Sequence, residues 1–165
     1  MSKTVENLKA AFAGESQANR RYLAFAKKAD DEDHPQVAKL FRAAAAAETV
    51  HAHNHLRALG GIKGTAENLD EAISGESHEV LNMYPGMIAD AQAEGSKAAL
   101  SSFQWAWEVE KTHEALYRKA KENLGKGGES FDYYVCQVCG HTHERSAPEK
   151  CPVCGAPSSK FEKVS

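Results

Sequence analysis

Two copies of one short pattern constrain this chain more than anything else in it: Glu48-Thr49-Val50-His51 and Glu110-Lys111-Thr112-His113. Three positions apart on a helix, a Glu and a His share one face. The first pair follows five alanines, Ala43 to Ala47, a surface that lets a partner helix come close. Glu15, Glu76 and Glu79 hold comparable positions on two further stretches of helical period. Two Glu-x-x-His helices with a Glu from each of two more form the ligand inventory of a carboxylate-bridged dimetal bundle.

The helices that carry these residues can be placed from apolar spacing. Val5, Leu8, Phe12, Ala18, Tyr22 and Phe25 predict a first helix from Ser2 or Thr4 to Lys28, with Glu15 inside its apolar stripe. An acidic turn over 30–33 follows. Asp33 is then placed to cap a second helix that has Pro35 in its tolerated first turn and is ended by Gly60-Gly61. Beyond Gly64, Thr65 can cap either a short helix or the opening of a longer one, with Ser74-Gly75 as a break. The helix of Glu76 and Glu79 is expected to kink at Tyr84-Pro85 and stop near Gly95. A fourth helix spans about Lys97 to Leu124. With the first turn centred near residue 32, Glu15 lies 17 positions before it and Glu48 lies 16 after. Around Gly95, Glu79 lies 16 before and Glu110 lies 15 after. At 1.5 Å rise per residue the carboxylates of each antiparallel pair stand at matching depth, a duplicated hairpin with pseudo-twofold symmetry.

Carboxylates converging inside a bundle repel one another and lose hydration unless cations neutralise them. The mixed Glu and His set suits iron or manganese and also accepts zinc. Glu15 is expected as a terminal ligand on one metal, Glu48 and Glu110 as bridges, and His51 and His113 as one imidazole per metal. Glu76 and Glu79 complete the second half. Tyr22 and Tyr84 are placed to donate from their phenols to ligating carboxylates.

A second metal pattern lies downstream of Gly125-Lys126-Gly127-Gly128. Cys136-x-x-Cys139-Gly140 and Cys151-x-x-Cys154-Gly155 use all four cysteines of the chain, which fits tetrahedral ligation of iron or zinc better than disulfides. That pattern reads as a module stitched by metal rather than by a large core, and a reducing cytoplasm is its natural compartment. The expected division is a helical domain over 1–125, a linker over 126–130 and a four-cysteine domain over 131–165. A net charge of -3 with scattered Lys and Arg argues against nucleic acid as a partner, and no apolar run approaches the ~20 residues that span a bilayer. Acids by the sixth residue argue against a secretion signal.

Taken together, Glu15, Glu48-x-x-His51, Gly75-Glu76-x-x-Glu79 with Met83-Tyr84-Pro85, Glu110-x-x-His113 and the two cysteine knuckles resemble the rubrerythrin family across essentially the whole chain. The resemblance implies an all-α ferritin-like four-helix bundle with a small C-terminal rubredoxin-like metal-binding domain. It implies a di-iron centre that reduces hydrogen peroxide, refilled by a mononuclear four-cysteine iron, with zinc as the alternative metal there. Electrons would come ultimately from NAD(P)H through an external reductase or a rubredoxin. It assigns Glu79 as the carboxylate that replaces His51 when the cluster oxidises, and Tyr22 and Tyr84 as the neighbouring phenols. It also implies a homodimer, with helix exchange at the 60–75 connection as one of its forms, and the Gly-rich linker gives the small domain reach to its own cluster or its partner's. A ferroxidase or iron-storage protein, an oxygen reductase using the same centre, and a structural zinc protein are the other readings.

Overall fold

The computed structural model describes residues 2–165. Five α-helices precede a three-stranded sheet: α1 (Lys3–Asp31), α2 (Pro35–Ala58), α3 (Thr65–His78), α4 (Tyr84–Ala93), α5 (Lys97–Asn123), then β1 (Tyr133–Cys136), β2 (Thr142–Glu144) and β3 (Phe161–Val164). The chain forms two compact units, the first ending at Lys63 and the second spanning Gly64–Ser165.

The first unit is the α1–α2 hairpin. Ser2 caps α1, its hydroxyl accepting from the Val5 amide. The turn differs from expectation at one position. Asp33 adopts a left-handed conformation (φ 57°), which a short polar side chain tolerates, and His34 rather than Asp33 holds the N-cap of α2, with no side-chain capping bond. The hairpin closes on alanine. Ala38, Ala45 and Ala52 recur every seventh residue on α2 and are buried, as are Ala18, Ala26 and Ala29 on α1. Side chains this small let the two backbones approach closely. At the seam Asn19 spends its amide on the Ala45 carbonyl (2.7 Å) and the Thr49 hydroxyl (2.9 Å), so its burial leaves that donor satisfied.

In the second unit α3 runs unbroken through Ser74-Gly75, starting at Thr65 with the Glu67 carboxylate reaching back to the Gly64 amide. At the expected kink the helix instead widens into a π-helical turn over Glu79–Met83, in which the Tyr84 amide reaches the Glu79 carbonyl. Proline explains it. Pro85 has no N–H to offer the Val80 carbonyl, the next acceptor in that wider register. The Trp107 indole N–H on α5 supplies the missing donor at 2.9 Å. α5 packs against α3 and α4.

The small domain is an antiparallel sheet in the order β2-β1-β3, with Tyr133 opposite Glu144 and Cys136 opposite Phe161. It belongs to the same compact unit as α5. Lys119 pairs with Glu144 at 2.5 Å, and Thr142 on β2 reaches α5 at His113.

Candidate metal centres

Each unit gathers one carboxylate–histidine trio. In the first, ligand atoms of Glu15, Glu48 and His51 all lie within 4.8 Å of one another; in the second, those of Glu76, Glu110 and His113 do. The two trios repeat one geometry. His51 Nδ1 stands 2.7 Å from Glu48 Oε2, and His113 Nδ1 stands 2.6 Å from Glu110 Oε2. Glu76 Oε1 is 3.9 Å from the same His113 nitrogen. Bonds of about 2.1 Å to a common ion allow ligand atoms up to roughly 4 Å apart, so each trio is close to what one metal needs.

Electrostatics point the same way. Without a cation, burial and then the neighbouring Glu110 raise the Glu76 carboxyl from 4.5 to about 7. Burial and Glu110 likewise push Glu79 upward. The hydrogen bond to Glu110 holds the His113 imidazolium above its ordinary range, against the opposing effect of burial. Acids that resist ionising around one imidazole form a site that gains from positive charge.

Glu79 lines the same cleft as Glu76, Glu110 and His113 but lies outside the tight trio. It opens the π-helical turn. Tyr84 feels burial and then the charges of Glu79, Glu110 and Glu76, all of which raise its phenol, so it lies within electrostatic range of the cluster. Tyr22 packs its ring against Phe25 and Phe41. Sequence reasoning missed Tyr117, which lines the cleft and whose phenol burial, Glu76 and Glu110 raise. Its position, seven residues beyond Glu110 on the same helical face, was the available signal.

The four cysteines form the other centre. Cys136 and Cys154 sulfurs are 3.7 Å apart, and Cys139 and Cys151 sulfurs 3.5 Å apart. A tetrahedron with metal–sulfur bonds of about 2.3 Å has edges near 3.8 Å, whereas a disulfide closes to about 2.05 Å. The spacing is that of a metal site. Gly140 (φ 86°) and Gly155 (φ 75°) take the left-handed turn that follows each pair, and their amides bond back to the Cys136 and Cys151 carbonyls. Burial pushes the Cys139 thiol up. Cys151 ends below its ordinary value despite burial, because the amides of Cys154 and Val153 stabilise its thiolate.

The rubrerythrin family profile matches residues 6–121, and that of the rubrerythrin rubredoxin-like domain matches residues 134–162. The chain belongs to the rubrerythrin family. It is 34% identical to rubrerythrin-2 of Clostridium acetobutylicum, covering 96% of this chain and 95% of that one. It is 34% identical to nigerythrin of Nitratidesulfovibrio vulgaris, covering 98% and 86%. Among solved structures, fully reduced, all-ferrous nigerythrin superposes with a TM-score of 0.60 at 32% identity, covering 99% of this chain and 88% of that one. Rubrerythrin membership, two carboxylate–histidine trios and a four-thiolate set make this an oxidoreductase of the di-iron, peroxidase type. Among the described residues no helix is long and apolar enough to cross a membrane.

Proposed function

We propose that this chain reduces hydrogen peroxide to water at a di-iron centre built from Glu15, Glu48, His51, Glu76, Glu79, Glu110 and His113. The observation that carries the reading is the repetition of one Glu/Glu/His geometry in two hairpins of a chain that also holds a four-thiolate site. Reducing one peroxide to two waters consumes two electrons and two protons, and a pair of ferrous ions held by these residues would supply both electrons together. The protein's part is to orient and to move protons. Tyr84, beside Glu79 and Glu110, keeps its phenolic proton at neutral pH and is placed to donate it. Tyr22 takes the corresponding role on the α1–α2 side. Glu79, at the wide turn and outside the tight trio, is the carboxylate free to change its position. Cys136, Cys139, Cys151 and Cys154 would hold an iron, which would supply one-electron transfer from a cytoplasmic reductase or rubredoxin that draws on NAD(P)H. The division into helices over 1–125, a linker over 126–130 and a small domain over 131–165 follows this split of labour.

The reading includes a homodimer that exchanges its α1–α2 hairpins, and chain reach supports it. A ferritin-like bundle uses one long crossover, because its second helix ends at one end of the bundle and its third begins at the other. Ten residues separate Glu48 from the end of α2, and eleven separate the start of α3 from Glu76. At 1.5 Å per residue the crossover must climb roughly 31 Å. The Gly61 amide is still bonded to the Leu56 carbonyl, so only Ile62, Lys63 and Gly64 remain, reaching about 14 Å at full extension. Burial agrees. Among the described residues no leucine, phenylalanine or tryptophan is buried, while Leu40 is 66% and Leu81 71% exposed. A bundle completed by a second copy covers such side chains.

The test is Glu110→Ala. It should abolish NADH-coupled peroxide consumption and lower metal content at the carboxylate centre while the four-cysteine site stays filled. An undiminished peroxidase rate would overturn the assignment. Faster consumption of oxygen than of peroxide by the wild type would favour the oxygen-reductase reading instead.

A further inference from the structure

We propose that Thr142 of the small domain is a positioning residue for the carboxylate centre, holding His113 by its outer ring nitrogen in the tautomer a metal requires. The inference rests on the reading of His113 as a ligand given above. His113 turns Nδ1 toward Glu110 and Glu76, and its Nε2 lies 2.9 Å from Thr142 Oγ1. A ligating Nδ1 carries no proton, so in the neutral ring the proton must sit on Nε2 and needs an acceptor there.

Thr142 is built to be that acceptor. Its hydroxyl has one hydrogen, and the Gly140 carbonyl stands 3.4 Å away to receive it. With that hydrogen committed, the oxygen presents lone pairs to His113, and the imidazole donates from Nε2. The neighbouring His141 is no competitor: it is buried, and neither of its ring nitrogens has a hydrogen-bond partner. Gly140 directly follows the ligand Cys139, and its amide bonds to the carbonyl of the ligand Cys136 at 2.8 Å. One peptide unit and two hydrogen bonds therefore join a four-thiolate ligand to a carboxylate-centre ligand within one chain.

Two variants of the full-length protein test this, both with zinc first loaded into the four-cysteine site. Thr142→Val keeps the branched shape and removes the hydroxyl; Thr142→Ser keeps the hydroxyl. Zinc affinity of the carboxylate centre, measured against a competing chelator, should fall about tenfold or more in the valine variant and stay near wild type in the serine variant. In the zinc-loaded protein labelled with nitrogen-15, the His113 Nε2 proton should exchange slowly in wild type and serine and rapidly in valine. A valine variant that binds zinc as the wild type does, or a serine variant as weak as valine, would overturn the proposal, the latter by reducing Thr142 to a packing contact. A wild type that binds no zinc at Glu110 and His113 would instead remove the ligand reading beneath it.

Discussion

The proposed hairpin exchange makes a quantitative prediction about two inactive proteins. Glu15→Ala damages the α1–α2 trio and Glu110→Ala damages the trio of the second unit, so neither homodimer holds an intact centre. In a dimer that mixes them, exchange brings the two damaged trios together in one centre and the two intact trios together in the other. Random pairing makes half the dimers mixed, and each mixed dimer holds one sound centre of two, so co-production should recover about one quarter of wild-type centres. Peroxide turnover per chain and iron content are the assays, with intact-mass measurement to count mixed dimers. A second arm comes from the reach of the connection. Inserting about 20 Gly/Ser residues between Ile62 and Lys63 adds a flexible span of roughly 25 Å, enough to make up the shortfall between 14 and 31 Å. Recovery should then vanish, because each chain can close its own bundle. Mixed dimers formed in the expected proportion, with activity no higher than the single variants, would refute hairpin exchange.

The remaining predictions concern the second unit. In the metal-free chain the Glu76 carboxyl protonates at about 7 instead of 4.5, burial first and Glu110 second opposing its charge, so the folded state keeps a proton that the unfolded chain releases, and stability is lost as pH rises from 4.5 through 7. Urea unfolding at pH 5 and pH 8, at fixed protein concentration, should show a loss about 1 kcal/mol larger in the wild type than in Glu76→Gln, since solvent contact screens a displacement worth ~3 kcal/mol at full strength; equal losses would contradict it. Trp107→Phe should cost about 1–2 kcal/mol by orphaning the Val80 carbonyl, and an unchanged urea midpoint would show that water replaces the indole.

What the sequence disclosed was whatever depends on neighbours a turn apart. The Glu-x-x-His pairs, the helical stripes and the Cys-x-x-Cys knuckles are local, and each trio and the thiolate tetrahedron stand on the expected residues. Pro85 announced a disturbance, yet its form depended on Trp107, 27 residues from Val80 and outside any local pattern. Thr142 sits 29 residues from His113 and belongs to no motif, so only the docking of β2 on α5 reveals their contact. Asp favours capping positions, but at Asp33 the turn needs a residue that tolerates positive φ, and the same short side chain suits both roles. The alanine run suggested a close helix contact, and the seam uses one member of it, Ala45, with Ala38 and Ala52 seven residues to either side.

The glycine-rich segment before the small domain suggested a tethered arm, but β2 is fastened to α5 through Lys119–Glu144 and Thr142–His113. An arm that swings to deliver its charge slows in a thickened solvent and changes pace when its tether is cut longer. A delivery point already clamped to the receiving helix responds to neither, so glycerol and added residues near Gly127 should leave the internal electron step unchanged.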